Sequence, residues 1–302
     1  MLRRQTILLI MAGMMSFTTA AQAKTSIFAC EPEWASLAKE IGGDFVKVKL
    51  GTNAHQDPHF ISVRPSLIAM VRKTDMVFCN GADLEIGWLP ILLLQSGNSR
   101  VQPGTNGYFM AADYVHKLEV PTSVDRALGD VHPMGNPHIV GDPRNIAIVA
   151  RAFAARLAVV DPENKLAYEK QLARFEDRWL ASLIKWNARA KPLKGLPIII
   201  QHKTWVYLVH WLGLDVVSTL ELRPGIPPST SHLQTILNDL PKAKPKFIIN
   251  AAYENNKPSI WLSQRAGIPD ITLPFTVGGT KNSDDLFALY DTTISLLLEH
   301  AE

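Results

Sequence analysis

The sequence predicts an α/β protein of two lobes, each a mostly parallel sheet flanked by helices, joined by one long helical connector. Three observations predict it. Short apolar runs alternate with amphipathic stretches in the first and last thirds, as in βαβ units. The middle third has no strand pattern and places apolar residues at steps of three and four. Two Asp-Pro pairs, Asp142-Pro143 and Asp161-Pro162, give the N-cap and first-turn proline that start helices. The expected division is a leader over 1–23, a first lobe over 24–141, a connector over 142–192 and a second lobe over 193–302.

In the first lobe the strand-like runs are Ser26–Cys30, Phe45–Leu50 and Met76–Asn80, and the helical stretches are Glu33–Ile41, Pro65–Arg72 and Leu84–Gln95. In the connector, Ile146, Val149, Phe153 and Leu157 share one helical face. Leu172, Phe175, Trp179, Leu183 and Trp186 continue that spacing to about Ala190, where Lys191-Pro192 ends the helix. This aromatic stripe reads as packing between the lobes. In the second lobe the strands are Pro197–Ile200, Asp215–Thr219, Lys246–Asn250 and Asp270–Leu273. The helices there are Trp205–Leu212, Ser231–Leu240, Pro258–Ala266 and Asp284–His300. Pro227 and Pro228 bar a helix from the loop between the second of these strands and the next helix.

Arg3 and Arg4 precede an apolar run from Ile7 to Met15, and Ala21-Gln22-Ala23 gives a small-x-small cleavage pattern. Those are the parts of a secretory signal peptide, so the mature chain is expected in the periplasm. The run is shorter than the roughly 20 residues of a membrane span. Cys30 is separated from it by Lys24, Thr25 and Ser26, which argues against lipidation. Loss of the leader removes two of 31 basic residues and no acid, leaving 29 against 28 acids. A chain so near neutrality gives no case for nucleic acid or a charged membrane as partner. The two cysteines, Cys30 and Cys79, both end strand patterns. They could form a disulfide in an exported protein or stand as two buried thiols in neighbouring strands.

The chemistry-bearing residues are histidines. His59 follows Asp57-Pro58 in the loop after a strand, His138 follows Asn136-Pro137 just before the Asp142-Pro143 helix start, and His202 follows Ile198–Ile200. Ligands of parallel sheets bind beyond the carboxyl ends of strands, so these loops would meet in a cleft between the lobes. Neutral imidazoles there suit zinc and similar divalent metals. His116, His210 and His300 read as surface residues. His55, His132 and His232 read as non-ligands, with His55 and His132 near enough to support the site or its mouth. The sequence lacks a His-Glu-x-x-His, a Cys-x-x-Cys, a phosphate-binding glycine loop and a Gly-x-Ser-x-Gly.

Six blocks carry a resemblance. They are Gln56-Asp57-Pro58-His59-Phe60 with Arg64-Pro65-Ser66; Gly81-Ala82-Asp83-Leu84-Glu85-Ile86-Gly87-Trp88-Leu89-Pro90; and Gly129–Pro133 with Gly135-Asn136-Pro137-His138. The others are His202-Lys203-Thr204-Trp205-Val206-Tyr207, Pro224–Ser229 and Pro274–Gly279. Together they resemble the zinc/manganese family of metal-binding proteins of bacterial ABC importers, over nearly the whole mature chain. The resemblance implies two lobes joined by one long helix, a metal at their interface, and ligands at His59, His138 and His202. Manganese-preferring members often have a carboxylate at the third position, so His202 leans toward zinc as the transported ion, with manganese second. It further implies a monomer that hands its ion to a permease in the inner membrane and is not an enzyme. Two features depart from the family. The region Gly97–Gly107 has no histidine-rich insert, and Phe275–Gly279 lacks the acid that often serves as fourth ligand. Glu254 is the expected substitute, with Glu221 or a water as the other candidates. The competing readings are an exported zinc-dependent hydrolase using the three histidines, and an adhesin.

Overall fold

The strands form two separate sheets. In the computed structural model, which describes residues 23–123, 129 and 132–301, the first sheet contains β1 (Thr25–Ala29), β2 (Val46–Leu50), β3 (Met76–Cys79) and β4 (Tyr108–Met110). The second contains β5 (Pro197–Ile200), β6 (Asp215–Thr219), β7 (Phe247–Ala251) and β8 (Asp270–Leu273). Both are parallel and share one strand order, β2-β1-β3-β4 and β6-β5-β7-β8. The inner strands β3 and β7 are buried along their whole length. That suits parallel strands covered by helices on both faces, which read as continuous apolar runs. The leader expected over 1–23 lies, Ala23 apart, outside the described residues.

The helices are α1 (Pro32–Gly42), α2 (Pro65–Arg72), α3 (Leu89–Ser96), α4 (Pro143–Val160), α5 (Lys165–Arg189), α6 (Val206–Leu212), α7 (Thr230–Ala243), α8 (Lys257–Ala266) and α9 (Leu286–Glu299). Proline opens α1, α2, α3, α4 and α8, where its missing N–H costs no hydrogen bond. Asp142 caps α4 by accepting the N–H of Arg144 at 2.9 Å.

Beyond one-residue differences at the ends of β1, β2 and β3, local expectations are corrected at three places. The sequence reading missed β4, three residues long and preceded by a glycine-bearing turn; only its pairing with β3 makes it a strand. The helix expected from Leu84 begins at Leu89, because Ala82 and Asp83 take left-handed φ values of 51° and 64° and the chain turns before it winds. The strand expected over Lys246–Asn250 is displaced by one, to Phe247–Ala251.

The connecting region is a helical hairpin: α4 and α5 pack along each other across the turn at 161–164. The long helix between the sheets is α5, which packs on α1 in the first lobe and α9 in the second. Its aromatic stripe accounts for this. Trp179 stacks on Phe175 at 5.0 Å, meets Trp186 at 5.1 Å and Phe287 of α9 at 4.9 Å, and donates its indole N–H to the carbonyl of Pro143 at 2.9 Å. Tyr290 of α9 reaches back to the carbonyl of Val140 at 2.5 Å. One buried apolar cluster therefore runs from Ile27 and Trp34 through Phe153 and Trp179 to Ile198 and Leu297, so the lobes share a core.

Cys30 and Cys79 are joined in a disulfide. They follow β1 and end β3, neighbouring strands, with Cα atoms 4.8 Å apart and no solvent exposure. The bond between the sulfurs decides between the two readings left open there; strand adjacency, invisible in the sequence, is what brings the two residues within reach.

Candidate metal centre

His59 sits in the loop that leaves the carboxyl end of β2. Asp57 folds this loop as an Asx turn: its Oδ1 accepts the backbone N–H of His59 at 3.0 Å and lies 2.7 Å from Nδ1 of the same residue. Trp88 donates its indole N–H to the carbonyl of Pro58 at 2.8 Å and fixes the loop from beneath. Nε2 of His59 is buried and has no hydrogen-bond partner. Burial alone would raise the Asp57 carboxyl, but the hydrogen bond and charge of His59 hold it below its usual range.

His138 is positioned by both lobes. Its N–H is accepted by Asn136 Oδ1 at 3.0 Å, while Asn136 Nδ2 donates to the carbonyl of Lys203 at 3.0 Å. Asn80, just after β3, donates to the carbonyl of Pro137 at 2.7 Å. Tyr207 of α6 donates to the carbonyl of Asn136 at 2.9 Å and accepts the N–H of Leu118 at 3.0 Å. Gly141 lets α6 approach: a Cβ there would lie 2.9 Å from the amide nitrogen of Leu208. His138 is 2% exposed, and its Nδ1 is buried without a partner. Burial, then the neighbouring His59 and His202, push its pKa well below the usual value, so it is neutral at pH 7.

His202 lies two residues beyond β5. Pairing of β5 with β6 continues past the strands, with the N–H of Glu221 donating to the carbonyl of Gln201 at 3.1 Å. Glu221 Oε2 is thereby 2.7 Å from His202 Nδ1, and it also accepts the N–H of Gly225 at 2.8 Å. Burial works to lower the His202 pKa, but the Glu221 hydrogen bond and charge outweigh it and raise the pKa.

The three predicted imidazoles come together. Ring centroids are 5.3 Å apart for His59 and His138, 5.8 Å for His138 and His202, and 6.3 Å for His59 and His202. With Zn–N bonds of about 2.0–2.1 Å, two imidazoles on one tetrahedral ion have centroids about 5 Å apart. By ring separation the arrangement is near that of a ligand set, more open along the His59–His202 edge, with donor atoms not all within 4.8 Å of one another. Glu254, after β7, lines the same cavity of about 180 Å³ as His59, His202 and Glu221. Its Oε2 accepts the N–H of Ala251 at 2.8 Å. Burial raises its pKa to about 7, against the Ala251 hydrogen bond and the charge of His202. Where relatives often carry an acid, Phe275 packs edge-on against His138 at 5.4 Å and closes that side with carbon.

Sequence reasoning did not single out the orienting roles of Asp57 and Glu221. Asp57 could have been found from its Asx spacing to His59. Glu221 was weighed as a ligand; its Oε2 lies against His202 Nδ1 and accepts the Gly225 amide. Of the other histidines, His232 and His300 face the backbone carbonyls of Thr219 and Leu296, and His55 lines a separate cavity. His132 is part of the cluster, its ring 5.3 Å from that of His59. Burial, then the charges of His59 and His202, push its pKa down to about 4. Among the described residues, the one group with candidate ligand atoms all within 4.8 Å of each other is Cys30, Cys79 and Glu85. Its sulfurs are bonded to each other, which removes them as thiolate ligands.

The model of the zinc-uptake complex component A periplasmic family, ZnuA, matches residues 27–299. The chain is 24% identical over 260 residues to the manganese ABC transporter substrate-binding lipoprotein PsaA of Streptococcus pneumoniae, covering 83% of this chain and 79% of that protein. It is 23% identical over 276 residues to the iron ABC transporter substrate-binding lipoprotein MtsA of Streptococcus pyogenes serotype M1, covering 89% and 85%. A crystal structure of ZnuA superposes with a TM-score of 0.77 at 20% identity, over 93% of this chain and 100% of that one. The manganese-bound periplasmic metal binding protein of Candidatus Liberibacter asiaticus gives 0.74 at 18%, over 92% and 100%. The two structures support the fold. The family model covers almost the whole chain, and the chain belongs to the ZnuA family as a metal-binding substrate-binding protein of an ABC importer.

Proposed function

We propose that this protein captures one divalent transition metal, zinc in preference to manganese, through His59, His138 and His202, with Glu254 as fourth ligand, and delivers it to an ABC permease. The observation that carries the reading is the convergence of three imidazoles from both sides of the cleft, with Nε2 of His59 and Nδ1 of His138 buried and unpartnered. Buried polar atoms of this kind are rare without a ligand or water. Asp57 and Glu221 anchor the far nitrogens of His59 and His202, the carboxylate–histidine arrangement that orients metal ligands. Three nitrogen donors and an apolar Phe275 favour zinc over manganese, which suits oxygen donors. Relatives named for manganese and iron make this preference the part to test.

The boundaries 24–141, 142–192 and 193–302 are proposed for the mature chain, as a monomer in the periplasm after removal of residues 1–23. The curated relatives above are lipoproteins. Here Cys30 is buried and bonded to Cys79, so it is not a lipid attachment site. The family is one of solute-binding proteins, which weighs against the hydrolase reading.

The test is zinc titration, with manganese competition, of the wild type and of His59→Ala, His138→Ala and His202→Ala. One zinc per wild-type chain and marked loss of affinity in each variant is the expected result. Wild-type affinity in all three would remove the site.

A further inference from the structure

The three-histidine reading uses only part of the imidazole cluster. The ring of His132 lies 5.3 Å from that of His59, the same separation as His59 and His138. That is close to the roughly 5 Å expected of two imidazoles on one tetrahedral ion. His132 is also the outermost of the four: it is partly exposed, whereas His59, His138 and His202 are 9%, 2% and 8% exposed. It lines a cavity of about 420 Å³ together with Asn136, His138, His202 and Lys203. His202 lines this cavity and the smaller one that holds His59 and Glu254, so the two meet at the cluster.

A constrained turn backs His132. Its ring lies against the backbone of Asp83 and Ala82. Those residues belong to the turn in which Gly81, Ala82 and Asp83 have φ values of 81°, 51° and 64°. Two successive non-glycine residues in the left-handed region are strained, and such strain persists only where surrounding contacts enforce it. Here Glu85 enforces it by accepting the N–H groups of Asn80 at 2.6 Å and Gly81 at 3.0 Å.

We propose that His132 is a further metal-binding residue that, with His59, holds the incoming divalent cation at the mouth of the cleft before His138 and His202 complete its coordination. This rests on the three-histidine reading. The same pairing would operate in reverse during release, so His132 governs how fast the ion moves and not how tightly it finally sits.

The experiment is stopped-flow zinc loading of the metal-free protein and chelator-driven zinc release from the loaded protein. Wild type is compared with His132→Ala, His132→Asn and the exposed-residue control His116→Ala. Expected for both His132 variants is loading and release slower by about tenfold, the lower end of what losing a supporting group costs at a metal site. Equilibrium affinity and stoichiometry should be near wild type, and His116→Ala should match wild type throughout. Wild-type rates in both His132 variants would overturn the proposal. So would a loss of equilibrium affinity with loading unchanged, which would make His132 a permanent ligand. His138→Ala run in parallel separates the two readings: if it binds zinc as wild type does, the three-histidine site fails, whatever His132 does.

Discussion

Glu221 holds His202 in place: its Oε2 lies 2.7 Å from Nδ1 of the imidazole and also accepts the N–H of Gly225 at 2.8 Å. One carboxylate thus ties the residue after β5 to the proline-rich loop after β6. Any movement of that loop is transmitted to a proposed ligand. Glu221→Gln keeps the size and one acceptor oxygen but loses the charge that orients the ring. Zinc affinity should fall by about 10- to 100-fold with little change in melting temperature. Competition against a chromophoric chelator measures it; unchanged affinity would show that His202 needs no anchor. Asp57→Asn should act in the same direction at His59, where Asp57 makes the equivalent 2.7 Å contact.

The Cys30–Cys79 disulfide closes a loop of 49 residues between neighbouring strands. In the chain-entropy model, a loop of that length stabilises the fold by about 4 kcal/mol, by restricting the unfolded chain. Urea denaturation of the double variant Cys30→Ala/Cys79→Ala should show a lower midpoint with a similar slope. An unchanged midpoint would mean that the bond adds nothing to stability.

Beside that disulfide lie three buried acids. Burial raises Glu33 and Glu85 to about 7, with the Glu33 carboxylate accepting from Thr276 across the cleft and Glu85 from the Asn80 and Gly81 amides. Glu31 is raised well above its usual value by burial and by the charges of Glu85 and Glu33. A carboxyl whose folded pKa is raised binds its proton more tightly in the folded state. Its contribution is therefore most favourable below the unfolded value of 4.5, and is lost as pH rises toward and through the folded value. The contribution of these carboxyls to the metal-free fold should fall between about pH 5 and pH 7, against that of His132 and His138, whose lowered values favour the fold as pH rises. Glu31→Gln should melt higher than wild type at pH 8, with the gain disappearing near pH 4. Thermal melts across this range check the sign; a gain at pH 4 that equals the gain at pH 8 would place the effect in packing instead.

Trp179 joins α5 to both α4 and α9, through its bond to the Pro143 carbonyl and its contact with Phe287. Trp179→Ala should cost about 3–5 kcal/mol, the usual range for emptying a buried aromatic site. Because the site lies between the lobes, zinc affinity should fall with stability. By contrast Leu180→Ala, on the exposed face of the same helix, should leave both near wild type. Equal effects from the two would remove the packing role given to the stripe.

What the sequence determined by itself is the alternation of elements and the places where chemistry could sit. Local signals sufficed for these. Pro65 and Asp142-Pro143 start α2 and α4, the aromatic spacing from Phe175 to Trp186 marks the buried face of α5, and β5, β6 and β8 match their apolar runs residue for residue. His59, His138 and His202 were legible because each follows a strand or precedes a helix on a stiffened loop. What only the tertiary structure decided are relations between residues far apart in sequence. Strand order put Cys79 beside Cys30, the β5–β6 pairing put Glu221 beside His202, and the short β4 became a strand only by lying against β3. The turn at Ala82 and Asp83 was hidden because neither residue favours the left-handed conformation; Glu85 and the surrounding packing impose it. The burial of Glu31, Glu33 and Glu85 was hidden as well, since acids near helix starts are ordinarily solvated. Periodicity and caps report on neighbours in the chain, whereas pairing, burial and shared hydrogen bonds depend on which segments pack together.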